Sequence, residues 1–127
     1  DTWVAEGHVD YLGYSDDVPG EILKADCIVL PSAYPEGTPR TLLEASAMGR
    51  PIITTDAPGC RNTVDDGING YLCALRDAPD LQKKIEKIIA LSPQERSDMG
   101  RAGRAKMERE FDETIVIEKY LEIVRAR

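Results

Sequence analysis

The amino-acid sequence predicts an α/β fold in which a parallel sheet is flanked by helices, and three observations support this prediction. Mostly apolar runs of strand length stand at residues 27–30, 51–55 and 70–75. Helical segments separate these runs at a spacing of about 20–25 residues, which is the rhythm of βαβ units. The rest of the chain shows apolar residues at helical spacing. The 127 residues therefore predict a single domain, with a βαβ part over about 7–75 and closing helices over about 78–126.

The first predicted elements are two strands with a connecting segment between them. Residues 9–14 predict a short strand that ends in a glycine and a tyrosine. Residues 18–25 predict either a helix or a turn-rich connector, because a Pro-Gly pair near the start disfavours a long helix. Residues 27–30 are entirely apolar and stop at Pro31, which predicts a strand that is buried on both faces.

The central predicted elements continue the alternation of helix and strand. Residues 41–48 are rich in Leu and Ala and predict a helix that ends at Gly49. Residues 51–55 predict a second buried strand, with proline in the first position where a strand tolerates it. Asp-Gly and Asn-Gly turn signals lead into a third strand over residues 70–75.

Three helices are predicted to close the chain. Residues 78–91 carry Leu and Ile at helical spacing. A second helix is predicted to begin with Ser92 as N-cap and Pro93 at the first helical position, and to run to about residue 110. Residues 113–125 form the third amphipathic segment.

Composition and charge exclude several classes of protein. Sixteen Lys and Arg stand against 23 Asp and Glu, and a net charge of −7 disfavours a general nucleic-acid binder. No apolar run approaches the roughly 20 residues of a membrane span, so any membrane contact is expected to be peripheral. Three scattered cysteines predict a reducing, cytoplasmic compartment, with Cys60 expected to be the most exposed of them. One histidine and the absence of an Asp-x-Asp motif predict that neither a metal nor another cofactor is used.

The segment from Pro31 to Glu44 carries the predicted chemistry. It follows a predicted strand, so it lies at the carboxyl edge of the sheet, where open parallel sheets bind ligands. Thr38 is predicted to be an N-cap and Pro39 to occupy the first helical position. The backbone N–H groups of Arg40 and Thr41 would then suit a phosphate, and Gly37 would permit close approach of a ligand.

Two carboxylates flank this predicted helix start. Glu36 precedes it, and Glu44 lies six residues past the predicted cap, roughly 9 Å along a helix axis. Carboxylates accept hydrogen bonds from pairs of hydroxyls, so the pattern suggests a phosphorylated ligand that carries several hydroxyl groups. Two alternatives stay open at this point. Glu44 could only pair with Arg40 one turn earlier, and Glu36 could be a solvated loop residue.

Glu36 and Glu44 reproduce the Glu-x7-Glu signature, and the segment resembles the retaining, nucleotide-sugar-dependent glycosyltransferases of the GT4 type. Further blocks at residues 9–13, 25–32, 44–53 and 66–72 are similar to successive blocks of that family, in the same order. The resemblance implies a GT-B fold, of which this chain would be the C-terminal, Rossmann-like donor-binding domain in incomplete form.

The resemblance also implies roles for single residues. Glu44 would hold the ribose hydroxyls of a nucleoside-diphosphate sugar, and Glu36 would act as the catalytic residue beside the reacting sugar carbon. The backbone around Gly37, Thr38 and Pro39 would lie against the sugar and the diphosphate. Further donor-binding residues would be Arg40 and Thr41, together with Gly13 and Tyr14 beside the nucleobase.

The chain also departs from the family pattern. Family members carry an early Arg/Lys pair that stabilises the departing diphosphate, and a preceding domain that binds the acceptor, and neither is present here. The sequence is therefore interpreted as a fragment without turnover of its own. Its expected partners are a nucleoside-diphosphate sugar, a saccharide or lipid-linked acceptor, and the missing N-terminal domain. The expected donor is a UDP-sugar.

Three other functions remain as alternatives. A non-catalytic module that binds a nucleotide sugar would need only the donor site. A sugar-nucleotide epimerase shares the GT-B architecture, although its catalytic histidines have no match in this sequence. A receiver-like regulatory domain would need a phosphoacceptor at the end of a buried strand, and Asp56 is the candidate, without the paired acids that such a site requires.

Overall fold

The structure of this chain is a computed structural model, and it describes residues 17–31, 39–110 and 124. The strand predicted over residues 9–14 and the helix predicted over residues 113–125 lie outside this part of the chain, apart from Val124. The elements, in chain order, are α1 (Val18–Lys24), β1 (Ile28–Leu30), α2 (Arg40–Ala47), β2 (Ile52–Thr55), a 3₁₀ turn (Arg61–Thr63), β3 (Gly70–Cys73), α3 (Ala78–Ala90) and α4 (Pro93–Glu110).

The three described strands form one parallel sheet in the order β1-β2-β3. Ile28 pairs with Ile52, and Ile52 pairs in turn with Gly70, so the strands begin nearly level with one another. A parallel sheet with flanking helices confirms the predicted fold class, although only a 3₁₀ turn separates β2 from β3. It also puts all segments that follow a strand at one edge of the sheet, and all segments that precede a strand at the other.

Helices cover the two faces of the sheet unequally. On one face, α1 and α2 pack Ile22 and Leu42 onto Ile52. On the other face, α3 and the first half of α4 pack Ile88 and Met99 onto Ile53. The central strand β2 is buried at all four positions, as the sequence predicts.

The prediction that the first apolar run is buried on both faces is wrong. Val29, the middle residue of β1, is 38% exposed. It stands in the same cross-strand row as Ile53 and Tyr71, and α3 packs over those two residues because it follows β3 directly. The described part of α3 and α4 does not extend far enough across the sheet to bury the β1 end of this row.

The predicted helix boundaries hold well where a capping residue sets them. Asp77 accepts a hydrogen bond from the backbone of Asp80 at the start of α3. At the start of α4, the Ser92 hydroxyl accepts from the Glu95 N–H, and the Glu95 carboxylate accepts from the Ser92 N–H. This reciprocal pair is a capping box, and it confirms Ser92 as the N-cap and Pro93 as the first helical residue.

The long helix α4 docks closely against the amino edge of the sheet. A Cβ atom added to Gly100 would lie 1.9 Å from the carbonyl oxygen of Gly49, so the helix backbone can approach this loop only through a glycine. Further along, the buried Lys106 ammonium pairs with Asp65 at 3.1 Å and with Glu110 at 2.9 Å. Since Asp65 lies in the loop before β3, these contacts fix α4 to the side where strands begin.

Candidate donor-binding site at the carboxyl edge

The start of α2 is the centre of the candidate site, and it begins one residue later than the sequence predicts. Pro39 occupies the N-cap position with φ −64° and ψ 127°, and Arg40 is the first helical residue. The prediction of Pro39 at the first helical position and Thr38 as N-cap is therefore wrong by one residue. The fixed φ of proline suits both positions, and the extended ψ of Pro39 decides between them. Its carbonyl accepts the first helical hydrogen bond, from the Leu43 N–H at 3.3 Å.

This shift puts a proline at the N-cap of α2, and the side chain of this residue makes no capping hydrogen bond. The N–H groups of a first helical turn have no acceptor within their own helix. A helix start of this kind, at the carboxyl edge of a parallel sheet, is suited to an anionic group such as a diphosphate.

Glu44 lies one turn into α2, and its side chain is only 12% exposed. The Nε of Arg40 donates a hydrogen bond to Oε1 of this carboxylate at 3.0 Å, while the Arg40 side chain itself is 73% exposed. The ion pair that the sequence left open as an alternative is therefore present. An exposed pair at this spacing contributes about 0.3–0.5 kcal/mol to helix stability, so its presence does not by itself explain why the carboxylate is recessed.

A second Arg–Glu pair in the chain provides a direct comparison. In α4, the Nε of Arg104 donates to Oε1 of Glu108 at the same distance, 3.0 Å, with the same spacing of four residues. There the carboxylate is the exposed partner, at 55%, and the arginine is the more buried one, at 29%. The pair in α2 is thus unusual for its recessed carboxylate.

A cavity of about 300 Å³ opens at the same edge of the sheet. It lies where the strands end, between the residues that follow β1, β2 and β3 and the first turn of α3. Burial, followed by the nearby carboxylate of Asp80 as the second cause, raises the pKa of the Cys73 thiol. This thiol is therefore uncharged near pH 7. The lining residues are Pro31, Thr55, Cys73, Ala74, Arg76, Asp77, Ala78 and Leu81.

The loop after β2 also belongs to the carboxyl edge. The Asp56 N–H donates to the Cys73 carbonyl at 2.9 Å, and its carboxylate pairs with Arg61 at 3.1 Å. Asp56 does not line the cavity. The prediction that Cys60 is the most exposed cysteine is wrong, because Cys60 is fully buried and Cys27 is only partly buried.

The structure brings together four of the predicted site residues, namely Pro39, Arg40, Thr41 and Glu44, in the first turns of α2. The other five predicted residues lie outside the described part of the chain, so their roles stay predictions. They are Gly13, Tyr14, Glu36, Gly37 and Thr38.

Sequence reasoning missed the cavity beside β3. The signal for it was available, because Pro31, Thr55 and Ala74 each stand at or just after the end of a predicted strand. The carboxyl ends of parallel strands meet at one edge, so these positions could have been grouped from the strand assignments alone.

Comparison with known proteins identifies the class to which this fold and site belong. The family model of the glycosyl transferases group 1 matches residues 4–106, so the chain belongs to that family. The family assignment from the Glu-x7-Glu signature is confirmed.

Individual relatives are consistent with this family. The chain is 34% identical over 118 residues to the N,N'-diacetylbacillosaminyl-diphospho-undecaprenol alpha-1,3-N-acetylgalactosaminyltransferase of Campylobacter jejuni, covering 92% of this chain and 30% of that protein. The chain thus spans about a third of the length of a curated relative.

Solved structures confirm the fold. The chain superposes on Anabaena HepE in complex with UDP with a TM-score of 0.79 at 24% identity, covering 96% of this chain and 33% of HepE. It also matches the C-terminal domain of the group 1 glycosyl transferase LpcC from Francisella tularensis, with a TM-score of 0.70 at 21% identity, covering 87% of this chain and 59% of that one. The architecture is that of one domain of the GT-B glycosyltransferases, present in part.

Neither a membrane-spanning helix nor a metal-holding cluster is present in the described residues. No helix within 17–31, 39–110 and 124 is both long enough and apolar enough to cross a membrane. In the same residues, no group of three or more His, Cys, Asp and Glu side chains is placed to hold a metal ion.

Proposed function

We propose that this chain is the donor-binding part of a retaining glycosyltransferase of the GT4 type. In this proposal, the enzyme moves a sugar from a nucleoside-diphosphate sugar, specifically a UDP-sugar, to a saccharide or lipid-linked acceptor during surface polysaccharide or glycan synthesis. Membership of the glycosyl transferases group 1 supports the reaction class. The UDP found in HepE and the diphospho-undecaprenol acceptor named for the Campylobacter relative support the choice of donor and acceptor.

The recessed carboxylate of Glu44 is the observation that carries the proposal. It lies one turn inside a helix whose N-cap residue, Pro39, makes no side-chain capping hydrogen bond, at the carboxyl edge of the sheet. In the proposal, the first turn of α2 binds the diphosphate and Glu44 accepts hydrogen bonds from the two ribose hydroxyls. Hydrogen bonds to an ionised carboxylate are about twice as strong as neutral ones, which suits a residue that anchors the nucleotide.

The chemical step requires stabilisation of the charge that develops on the departing diphosphate. The helix start at Arg40 and Thr41 would supply part of that stabilisation, and Glu36 would act beside the reacting sugar carbon. The proposal assigns acceptor binding to a preceding domain, and the basic pair to an early part of the donor-binding domain that this sequence does not contain. On this basis we expect the isolated chain to bind the donor without turnover. We expect the enzyme to act in the cytoplasm.

Calorimetric titration of the chain with UDP, GDP and ADP tests the proposal. We expect saturable binding of UDP, with Glu44→Gln weakening it by about tenfold or more, because two charge-assisted hydrogen bonds are lost. Glu108→Gln is the matched control, since it breaks an ion pair of the same geometry at an exposed carboxylate of α4. It should leave the affinity within about twofold of the wild type.

Three results would contradict the proposal or its choice of donor. Equal weakening by the two substitutions would show that general electrostatics, and not ribose binding, is being measured. UDP affinity that is unchanged by Glu44→Gln would remove Glu44 from the donor site. Saturable binding of GDP or ADP in place of UDP would keep the site and overturn the choice of donor.

A further inference from the structure

A second cavity, of about 280 Å³, lies at the edge of the sheet opposite the candidate donor site. The segments that line it precede β1, precede β2 or begin α4. All three are at the amino edge, because α3 runs back from the carboxyl edge after β3 and ends where α4 starts. We call this the amino-edge cavity, and its lining residues are Leu23, Lys24, Ala25, Asp26, Gly49, Arg50, Pro51, Pro93, Arg96 and Ser97.

The amino-edge cavity is positively charged although the whole chain has a net charge of −7. Three cations line it, Lys24, Arg50 and Arg96, against the single carboxylate of Asp26. They come from three different elements, namely the end of α1, the loop between α2 and β2, and the first turn of α4. Packing of distant segments therefore concentrates positive charge at this one place on an acidic molecule.

Two of these cations have no carboxylate partner within the described residues. Neither Arg50 nor Arg96 takes part in any ion pair found there. Most other arginines in this part of the chain are paired, as Arg61 is with Asp56 and Arg101 with Asp98. A partly buried charge without a counter-ion is unfavourable, and a bound anion would offset that cost.

Arg50 is held in place more firmly than an ordinary surface arginine. One terminal nitrogen donates to the Leu23 carbonyl at 2.9 Å, across 27 residues of chain. Its Nε is buried and has no hydrogen-bond partner among the described residues. The guanidinium is therefore oriented by the protein, with its hydrogen-bonding capacity mostly unused, which lowers the entropic cost of binding a ligand.

The start of α4 contributes side chains to the cavity, and its backbone contributes little. The N–H groups of Ser92 and Glu95 are bound within the capping box, and the Arg96 N–H donates to the Ser92 carbonyl at 3.0 Å. The Arg96 guanidinium and the Ser97 hydroxyl are therefore the donors that this turn of α4 offers to the cavity.

We propose that the amino-edge cavity binds one phosphate group, at a site separate from the donor site. A planar guanidinium binds two oxygens of a phosphate side by side, and two guanidinium groups with the Lys24 ammonium form a suitable set of donors. The volume suits a small anion or a single headgroup, since ligand pockets for larger molecules begin at about 300 Å³. The phosphate is carried either by a soluble phosphate compound or by a lipid headgroup.

Titration of ¹⁵N-labelled chain with inorganic phosphate, at constant ionic strength, tests this proposal. We expect saturable shifts of the backbone amides at residues 24–26, 49–50 and 96–97. Arg96→Gln should weaken binding by about five- to tenfold. Lys24→Gln, at a side chain that is 76% exposed, should weaken it by about twofold.

The matched control is Arg101→Gln, which removes a positive charge from the same helix outside the cavity. It should leave phosphate affinity within about twofold of the wild type. The spectrum of each variant reports directly whether the fold is retained. Shifts that do not saturate, or equal weakening by Arg96→Gln and Arg101→Gln, would overturn the proposal.

Vesicles identify the source of the phosphate. Co-sedimentation with phosphatidylglycerol–phosphatidylcholine vesicles that is lost in Arg96→Gln would assign the site to a lipid headgroup. Saturable binding of inorganic phosphate without vesicle binding would assign it to a soluble compound. Glu44→Gln should leave the phosphate titration unchanged, so failure at one site is distinguishable from failure at the other.

Discussion

The two edges of the sheet are built differently, although the same three strands end at both. At the amino edge, α4 touches the loop before β2 through Gly100, and Lys106 binds Asp65 in the loop before β3. At the carboxyl edge, the N-cap residue of α2 is a proline that makes no side-chain capping hydrogen bond, and an open cavity lies beside the strand ends. Contacts between α4 and two loops thus fix the amino edge, while the carboxyl edge carries an open cavity.

This difference explains how a small sheet can combine stability with a binding site. The contacts of Gly100 and Lys106 hold α4 where the strands begin, and they use none of the residues at the start of α2. The same docking brings Arg96 to the cavity that Arg50 lines, where neither arginine pairs with Asp26, the one carboxylate of the lining. Four predictions test the contrast between the edges, and the donor-site and phosphate-site titrations described above belong with them.

The largest expected effect is on stability, from Gly100→Ala at the amino edge. The new Cβ would meet the backbone of Gly49 at 1.9 Å, and backbone cannot move aside as a flexible side chain can. We expect the free energy of unfolding to fall by about 3 kcal/mol. Urea denaturation followed by circular dichroism measures it.

Gly103→Ala is the control for that substitution, one turn further along the same helix. Its Cβ would lie 3.4 Å from the Asn69 side chain, an ordinary contact. Because alanine favours helix more than glycine does, we expect a change between zero and a gain of about 1 kcal/mol. If both substitutions cost the same, close backbone contact at Gly100 is not what fixes α4.

A smaller effect is expected from Arg40→Gln at the carboxyl edge. The substitution removes the ion pair but retains the carboxylate of Glu44, and the lost side chain is 73% exposed. UDP affinity should therefore fall by about threefold, against tenfold or more for Glu44→Gln. A larger loss from Arg40→Gln than from Glu44→Gln, in the same calorimetric titration, would place the anchoring interaction on the arginine.

The smallest expected effect is on the pH dependence of stability, through Glu110. Hydrogen bonding to Lys106 lowers the pKa of this carboxyl below its ordinary value of 4.5. Its contribution to stability is thus present above about pH 4.5 and is lost as the pH falls through the lower pKa of the folded state. Between about pH 6 and about pH 3, stability should fall more steeply in the wild type than in Glu110→Gln.

Lys106 gives the opposite sign at high pH. Burial by itself lowers the pKa of its ammonium, but the hydrogen bonds to Glu110 and Asp65 raise it above the ordinary 10.5. This contribution is complete below pH 10.5 and is lost as the pH rises through the higher folded-state pKa. Parallel acid and alkaline profiles for wild type and Lys106→Met would contradict the role of this ion pair at the amino edge.

The sequence predicted those features that depend on neighbouring residues. The capping box of Ser92 and Glu95 lies within four positions, so the start of α4 was predicted correctly. The burial of β2 followed from its apolar residues alone. Glu44 was identified because it lies in a predicted helix that follows a predicted strand and its loop, which places it at the carboxyl edge of the sheet.

Features that depend on packing between distant segments were not predicted. The exposure of Val29 depends on how far α3 reaches across the sheet. The burial of Cys60 depends on how the segment after β2 packs onto the rest of the domain. Arg50 and Arg96 are 46 positions apart and meet only because α4 docks beside the loop before β2. No pattern of adjacent residues contains that information.

The most direct test of the central claim is a map of backbone amide shifts during titration with UDP. We expect the largest saturable shifts on residues 40–44, at the start of α2, with Glu44→Gln raising the UDP concentration at their midpoint by about tenfold or more. Shifts of the amino-edge amides 24–26, 49–50 and 96–97 should need higher UDP concentrations and keep their midpoint in that variant. If UDP instead binds first at the amino edge, or if the shifts at residues 40–44 keep the wild-type midpoint in Glu44→Gln, the assignment of the carboxyl edge as the donor-binding edge is contradicted.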